Sequence, residues 1–394
     1  MADDRGSVRR IAWRDICPWL IIFRCFRLSI SVPVLLLATL GTLLTPVGWQ
    51  IGEALFDEKV ADIGSFVTFS EWGERGVAIW KGAAGEDPST RLGRVLSSNV
   101  TGVYRQFVAP FAHLVIHRNE LTITEAAYCL WGGMWNILVW ALAAGAITRI
   151  AAVQLGREER IGFWEAIGHA GRHYVWYVIA PLFPMLGIVL ICLPLAILGA
   201  LMRLDAGVLI AGLLWLPVLI GGLVITMLLL GLSLGWPLMW PAISSEEGSD
   251  AFEAFSRAYA YTFQRPLHYL FFAFVTVAFG AVCWVLVSVF STCVIEASYW
   301  GTSWGASGER IREIQSLPSE NGVFFAGAFL IRLCTILVHA IAVAFNDGFF
   351  WCAATAIYLL LRREVDEADF DEVFMEEEKA KNDAASAFKP LPDR

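Results

Sequence analysis

The sequence predicts an all-α, polytopic integral membrane protein, and three observations carry that prediction. Between Tyr174 and Ile243, seventy residues hold only two charges, Arg203 and Asp205. The 394-residue chain is 57% hydrophobic with a mean hydropathy of +0.60, above the roughly 45–50% apolar content of a soluble domain. Its arginines gather in short stretches between apolar runs, the pattern that orients membrane helices.

Residues 1–27 read as a basic amphipathic segment, in which Arg5, Arg9, Arg10, Arg14, Arg24 and Arg27 are interleaved with Ile11, Trp13, Ile16, Trp19, Leu20 and Phe23. The first apolar run, 28–49, lacks a small-residue cleavage site and is read as a retained span, not a removable signal. Further spans are expected at 126–147, 174–201, 214–236 and 268–295, each supplying the roughly 20 apolar residues that a bilayer core requires. Spans three and four meet at a turn, Arg203–Gly207. The last apolar stretch, Gly322 to Leu361, is about twice the length of one crossing. It is divided into an oblique or interfacial piece at 322–336 and a span at 338–361.

Six spans make residues 28–363 one membrane domain, with an outer loop at about 50–125. Within that loop Val100–His117 is amphipathic and is expected to rest on the outer interface. An even number of crossings places the first 27 residues, the loop bearing Arg149, Arg157, Arg160 and Arg172, and the pair Arg362–Arg363 on one side. Basic loops are retained on the cytoplasmic side, so both termini are expected in the cytoplasm beneath the inner membrane. Trp131, Trp135, Trp176, Trp215, Trp236, Trp240, Trp300 and Trp304 fall near the span ends, where aromatic belts form.

An internal repeat organises these spans. Residues 157–170 align at an offset of 88 with residues 245–258, and the same offset carries span two onto span four. Each copy has an acidic cluster followed by an amphipathic helical pattern between two spans, and a looser third copy precedes span one. The expected architecture is hairpins introduced by cytoplasmic interfacial helices.

Two constellations are candidates for chemistry. Glu165, His169 and His173 lie at i, i+4 and i+8, which aligns a carboxylate and two imidazoles on one helix face at metal-ligand spacing; the same spacing also suits an interfacial polar face. Arg332, Thr335, His339 and Asn346 form one face of the last apolar stretch, followed by Asp347. Ionisable groups at membrane depth are costly and face a bundle interior or a water-filled path, so this stripe is either a solute path or polar glue between helices. Eight cysteines without a Cys-x-x-Cys pair read as small buried hydrophobes. No phosphate loop, nucleophile elbow or His-Glu-x-x-His motif occurs, so no catalytic residue, no cofactor and no nucleic-acid partner is assigned.

From Glu364 onward eleven acids face four bases, a local charge of −7 within a chain total of −8. Residues 364–394 are expected to be a disordered, solvated acidic tail. Phe370, Val373, Phe374 and Met375 within it form a candidate docking motif for a basic protein partner, and the outer loop is a second candidate partner surface.

Residues 10–20 (RIAWRDICPWL), 146–155 (AITRIAAVQL), 235–241 (GWPLMWP) and 358–366 (YLLLRREVD) resemble an uncharacterised family of multi-pass membrane proteins from planctomycete-type bacteria, over nearly the whole chain. The loop at 253–258 (EAFSRA) more distantly resembles the membrane domain attached to some glycerophosphodiester phosphodiesterases. These resemblances imply the architecture alone and bring no site residues. The function expected on this basis is a non-enzymatic scaffold or helper in membrane or envelope organisation, with the bilayer as its first partner and its oligomeric state left open. The alternative is a transporter or channel for a small solute or ion that uses the Arg332–Asp347 stripe.

Overall fold

The computed structural model describes residues 16–57, 100–116, 121–246, 248–316 and 322–375. These form twelve α-helices, preceded by one 3-10 turn at Pro18–Leu20. In chain order they are α1 (Ile21–Ser29), α2 (Val32–Phe56), α3 (Val100–Ile116), α4 (Ile123–Gly156), α5 (Phe163–Arg172), α6 (Tyr174–Leu201), α7 (Asp205–Leu213), α8 (Trp215–Ser245), α9 (Ala251–Gln264), α10 (Pro266–Ala306), α11 (Gly308–Ser316) and α12 (Gly322–Val365). Six of them, α2, α4, α6, α8, α10 and α12, are long and apolar enough to cross a membrane. This is a polytopic membrane protein.

The repeat is visible in the packing. Helices α5 and α9 open at Phe163 and Ala251, 88 positions apart. α5 lies on α4, α9 lies on α8, and α1 lies on α12, so each short amphipathic helix packs mainly on one spanning helix at the arginine-rich end of the bundle. The spans pair as α2/α4, α6/α8 and α10/α12, while α4, α8 and α12 also pack on one another at the centre. Small residues let this happen. Ala166 and Ala170 of α5, and Ala251, Ala254 and Ala258 of α9, are buried against the bundle, while Trp164 and Phe252 face outward.

The α2/α4 pair is held by a glycine and tryptophan zipper. A β-carbon on Gly48 would lie 2.1 Å from the Trp135 indole, and one on Gly132 would lie 2.1 Å from Trp49. The indoles also donate across the contact, Trp131 to the Gly48 carbonyl at 2.9 Å, Trp135 to the Leu44 carbonyl at 3.0 Å and Trp140 to the Thr45 hydroxyl at 3.0 Å. Close helix approach through glycine, with each polar atom satisfied by the neighbouring helix, is how membrane helices associate without a hydrophobic driving force between them.

Four expectations need correction. First, Gly322–Val365 is one continuous 44-residue helix, not an interfacial piece followed by a span. Asn346-Asp347-Gly348 does not break it, because Gly348 stays helical and lets α12 approach Val34 and Ala38 of α2. At 1.5 Å per residue it is about 66 Å long, twice a bilayer core of about 30 Å, so it projects beyond the bilayer alongside the 41-residue α10. Second, the turn expected at Arg203–Gly207 shortens and runs into helix α7, which begins at Asp205. Third, α3 does not rest on an outer interface. Val100 packs against Gly280, and Phe107 sits among Trp140, Trp236, Trp240 and Trp351. It is a partial-depth helix wedged into the bundle, whose amphipathic face found protein instead of lipid. Fourth, Trp236 and Trp240 belong to the core and not to an aromatic belt, whereas Trp176, Trp215, Trp300 and Trp304 are exposed as expected. The rest of the outer loop, residues 58–99 and 117–120, lies outside the described residues, as do 1–15.

Candidate functional site

The structure divides the polar stripe of α12. His339, Asn346 and Asp347 are buried, but Arg332 is exposed and Thr335 is half-buried beside the Tyr299 hydroxyl at 3.4 Å. The face is continuous along the helix, yet only its arginine-rich half is covered, since residues 322–338 are exposed or half-buried apart from Ala328. Asp347 closes directly on α2, where the Thr42 hydroxyl donates to its Oδ2 at 2.7 Å. Thr39, Thr42 and Thr45 also bond carbonyls one turn back in their own helix. Of these bonds the one from Thr42 to Asp347 joins two helices, and all four side chains are at most 9% exposed.

The metal-spaced trio does not assemble. Glu165 turns back to accept from the Gly162 amide at 3.4 Å, capping α5. His169 is buried toward the bundle, and its ring stacks on that of His173 at 4.4 Å. Among the described residues no group of three His, Cys, Asp or Glu side chains could hold a metal ion. The helical spacing was sound, but the first-turn glutamate was already committed to the helix start.

Where α4, α8 and α12 meet, the axis of the bundle is filled with rings. Trp240 and Trp351 stack at 4.4 Å, Trp236 stacks on Phe350 at 5.7 Å, and Phe107 reaches in to lie 5.0 Å from Trp236 and 5.7 Å from Trp351. Trp140, Trp240 and Trp351 are no more than 2% exposed. Centroid separations of this size are those of directly packed aromatic rings.

The richest chemistry lies at the arginine-rich end. Arg362 at the close of α12 pairs with Glu246 after α8 at 2.9 Å, and Arg257 of α9 joins the same carboxylate at 3.5 Å. Tyr358 donates to Glu246 at 2.9 Å. Arg257 continues to Glu253 at 2.8 Å and Asp366 at 3.4 Å, and Tyr261 donates a short hydrogen bond to Asp366. A second cluster joins α4, α6 and α8 through the Ser244 hydroxyl, 2.6 Å from that of Thr148 and 2.8 Å from that of Tyr177, while Arg149 donates to the Ser244 carbonyl at 2.7 Å.

The beginning of the acidic tail is part of this construction, contrary to the expectation of a solvated tail from 364. Arg157 donates to the Val373 carbonyl at 3.1 Å, Arg362 to the Glu372 carbonyl at 2.9 Å, and the Phe374 amide to the Ser245 carbonyl at 3.0 Å. Val373 is 2% exposed, Arg149 reaches the Met375 sulfur at 3.6 Å, and Arg363 lies 5.1 Å from the Phe370 ring centre. The anticipated docking motif is therefore docked on its own chain. Two arginines take main-chain carbonyls, which charge counting cannot reveal. Residues 376–394 lie outside the described residues.

Burial raises the proton affinity of the Tyr261 hydroxyl, and the hydrogen bond to Asp366 and its charge raise it further, against the opposing effect of Arg257. For Arg257 burial disfavours the charge, but Glu246, Tyr358 and the hydrogen bond to Glu253 more than offset it and hold the guanidinium above its ordinary value. The head is thus an ionic lattice that ties the ends of α8, α9 and α12 together.

No family model matches this chain, and no curated protein and no solved structure matches it significantly.

Proposed function

We propose that this protein is a non-enzymatic scaffold or helper in membrane or envelope organisation, working as a closed helical bundle. The observation that carries the reading is the ring-filled axis. Phe107 and the tryptophans of three central helices occupy the position that a conduction path would need. Asp347 supports it, since it closes on α2 by a direct hydrogen bond from Thr42. We place the protein in a bacterial inner membrane with both termini cytoplasmic, on the strength of the shared arginine-rich end, and we keep the planctomycete-type family as its proposed kin. Its protein partners would be met through the tail beyond Met375 or the outer loop.

The transporter reading retains one specific support. Asp347 and Asn346 are ionisable and polar groups buried at 3% and 4% exposure inside a spanning helix, a placement often functional in membranes. Purified protein in sealed liposomes separates the two readings. The scaffold predicts no proton or solute flux, together with a co-purifying partner lost on truncation after Met375. Flux that disappears in His339→Ala with Asp347→Asn would overturn it.

A further inference from the structure

A groove of about 500 Å³ opens on the side of the bundle between α1, α2, α10 and α12. Its wall is apolar, formed by Phe26 and Ile30 of the α1 end, Leu35 of α2, Phe290 of α10, and Ile341 and Phe345 of α12, among others. The volume falls within the roughly 300–1,000 Å³ of small-molecule sites. The groove also has a direction. Phe345 and Leu286 are nearer the arginine-rich ends of their helices than Val338 and Val294, which line the other end. It therefore runs from the α1 level away from the arginine-rich end, about 10–12 Å along each helix.

The shallow mouth is not apolar. On α1 the exposed Arg27 directly follows Phe26 and stands nearly one turn before Ile30, the two residues of this segment that line the groove. Arg24 on the same helix is engaged by Glu158 at 3.2 Å, whereas Arg27 has no ion pair among the described residues. Next to Ile30, the Ser31 hydroxyl oxygen is buried without a hydrogen-bond partner and stands at the N-terminus of the 25-residue α2. A guanidinium, a hydroxyl and a helix N-terminus together attract a phosphate.

We propose that this groove is a binding site for an anionic phospholipid, with its phosphate on Arg27 and Ser31 and one acyl chain lying in the groove. Each half of the ligand meets its match at the correct depth. The chain faces a wall that is apolar apart from Ser291, and the cation is at the end where a headgroup would be. Because chain burial gains little over surrounding lipid, selection comes from the mouth. The site stands independently of the scaffold reading.

Native mass spectrometry of the full chain, loaded from mixed micelles of phosphatidylglycerol and phosphatidylcholine, tests it. The expected result is retention of phosphatidylglycerol over phosphatidylcholine, reduced about fivefold in Arg27→Gln and lost in Ala342→Phe, which fills the groove. Arg312→Gln, far from the mouth, should leave retention unchanged. Ala342→Phe is a buried change, so the surface variant Arg27→Gln carries the decision if Ala342→Phe misfolds. Equal retention of both lipids, or undiminished phosphatidylglycerol retention in Arg27→Gln, overturns the site.

Discussion

Arg362 and Glu246 meet at 2.9 Å with their side chains only 9% and 10% exposed, tying the end of α12 to the end of α8. Tyr358 and Arg257 complete the coordination of the same carboxylate. Removing one partner of a buried pair leaves a stranded charge and costs roughly 3–5 kcal/mol. Glu246→Ala is therefore expected to lower thermal stability in detergent far more than Glu309→Ala on the exposed α11. Equal melting temperatures for the two variants would contradict a buried lattice.

The α2/α4 zipper makes a sharper prediction about glycine. Gly48→Ala puts a methyl 2.1 Å from the Trp135 ring, and overpacking of this kind costs about 1–3 kcal/mol. Gly222→Ala in α8 is the matched control, since its added methyl meets nothing within 4 Å. It should be neutral or slightly stabilising. Denaturant unfolding in mixed micelles would read both.

The tail contact depends on Gly156, where a β-carbon would lie 2.4 Å from the Phe370 carbonyl oxygen. Main chain cannot swing aside as a side chain can. Gly156→Ala should release residues 366–375, seen as faster amide hydrogen exchange at Phe374, whose amide is bonded to Ser245. Truncation after Met375 should leave that protection intact.

Alkaline titration gives a signed test of the head. Burial and Asp366 hold the Tyr261 proton above the ordinary value of 10.0. The unfolded chain would release that proton first, so the stability Tyr261 contributes is complete below pH of about 10 and is lost as the pH climbs through the folded value. Tyr261→Phe should be less stable than wild type near neutrality, and the gap should narrow in strong alkali. A gap that stays constant there would remove Tyr261 from the account.

Much of the architecture was legible in the residues. The charge-poor run at 174–243 and the arginine clusters predicted six spans, the 88-residue offset predicted a short amphipathic helix in each repeat, and those helices begin at Phe163 and Ala251 as that offset requires. The candidate sites were less legible. His339, Asn346 and Asp347 are buried as a polar stripe should be, but Arg332 on the same face is exposed, because periodicity defines a helix face without saying how far a neighbour extends along it.

Hydropathy and helical period are properties of a few neighbouring residues, and they were enough to determine that this chain crosses a membrane and in what rhythm. Partnership between distant residues was decided only by the tertiary structure. Phe107 entered the bundle because the tryptophans of α4, α8 and α12 left it a place, and Val373 docked because Arg157 and Arg362 needed carbonyl oxygens. An amphipathic or acidic segment states what it can satisfy. Which surface satisfies it depends on the spatial arrangement of helices far away in the chain.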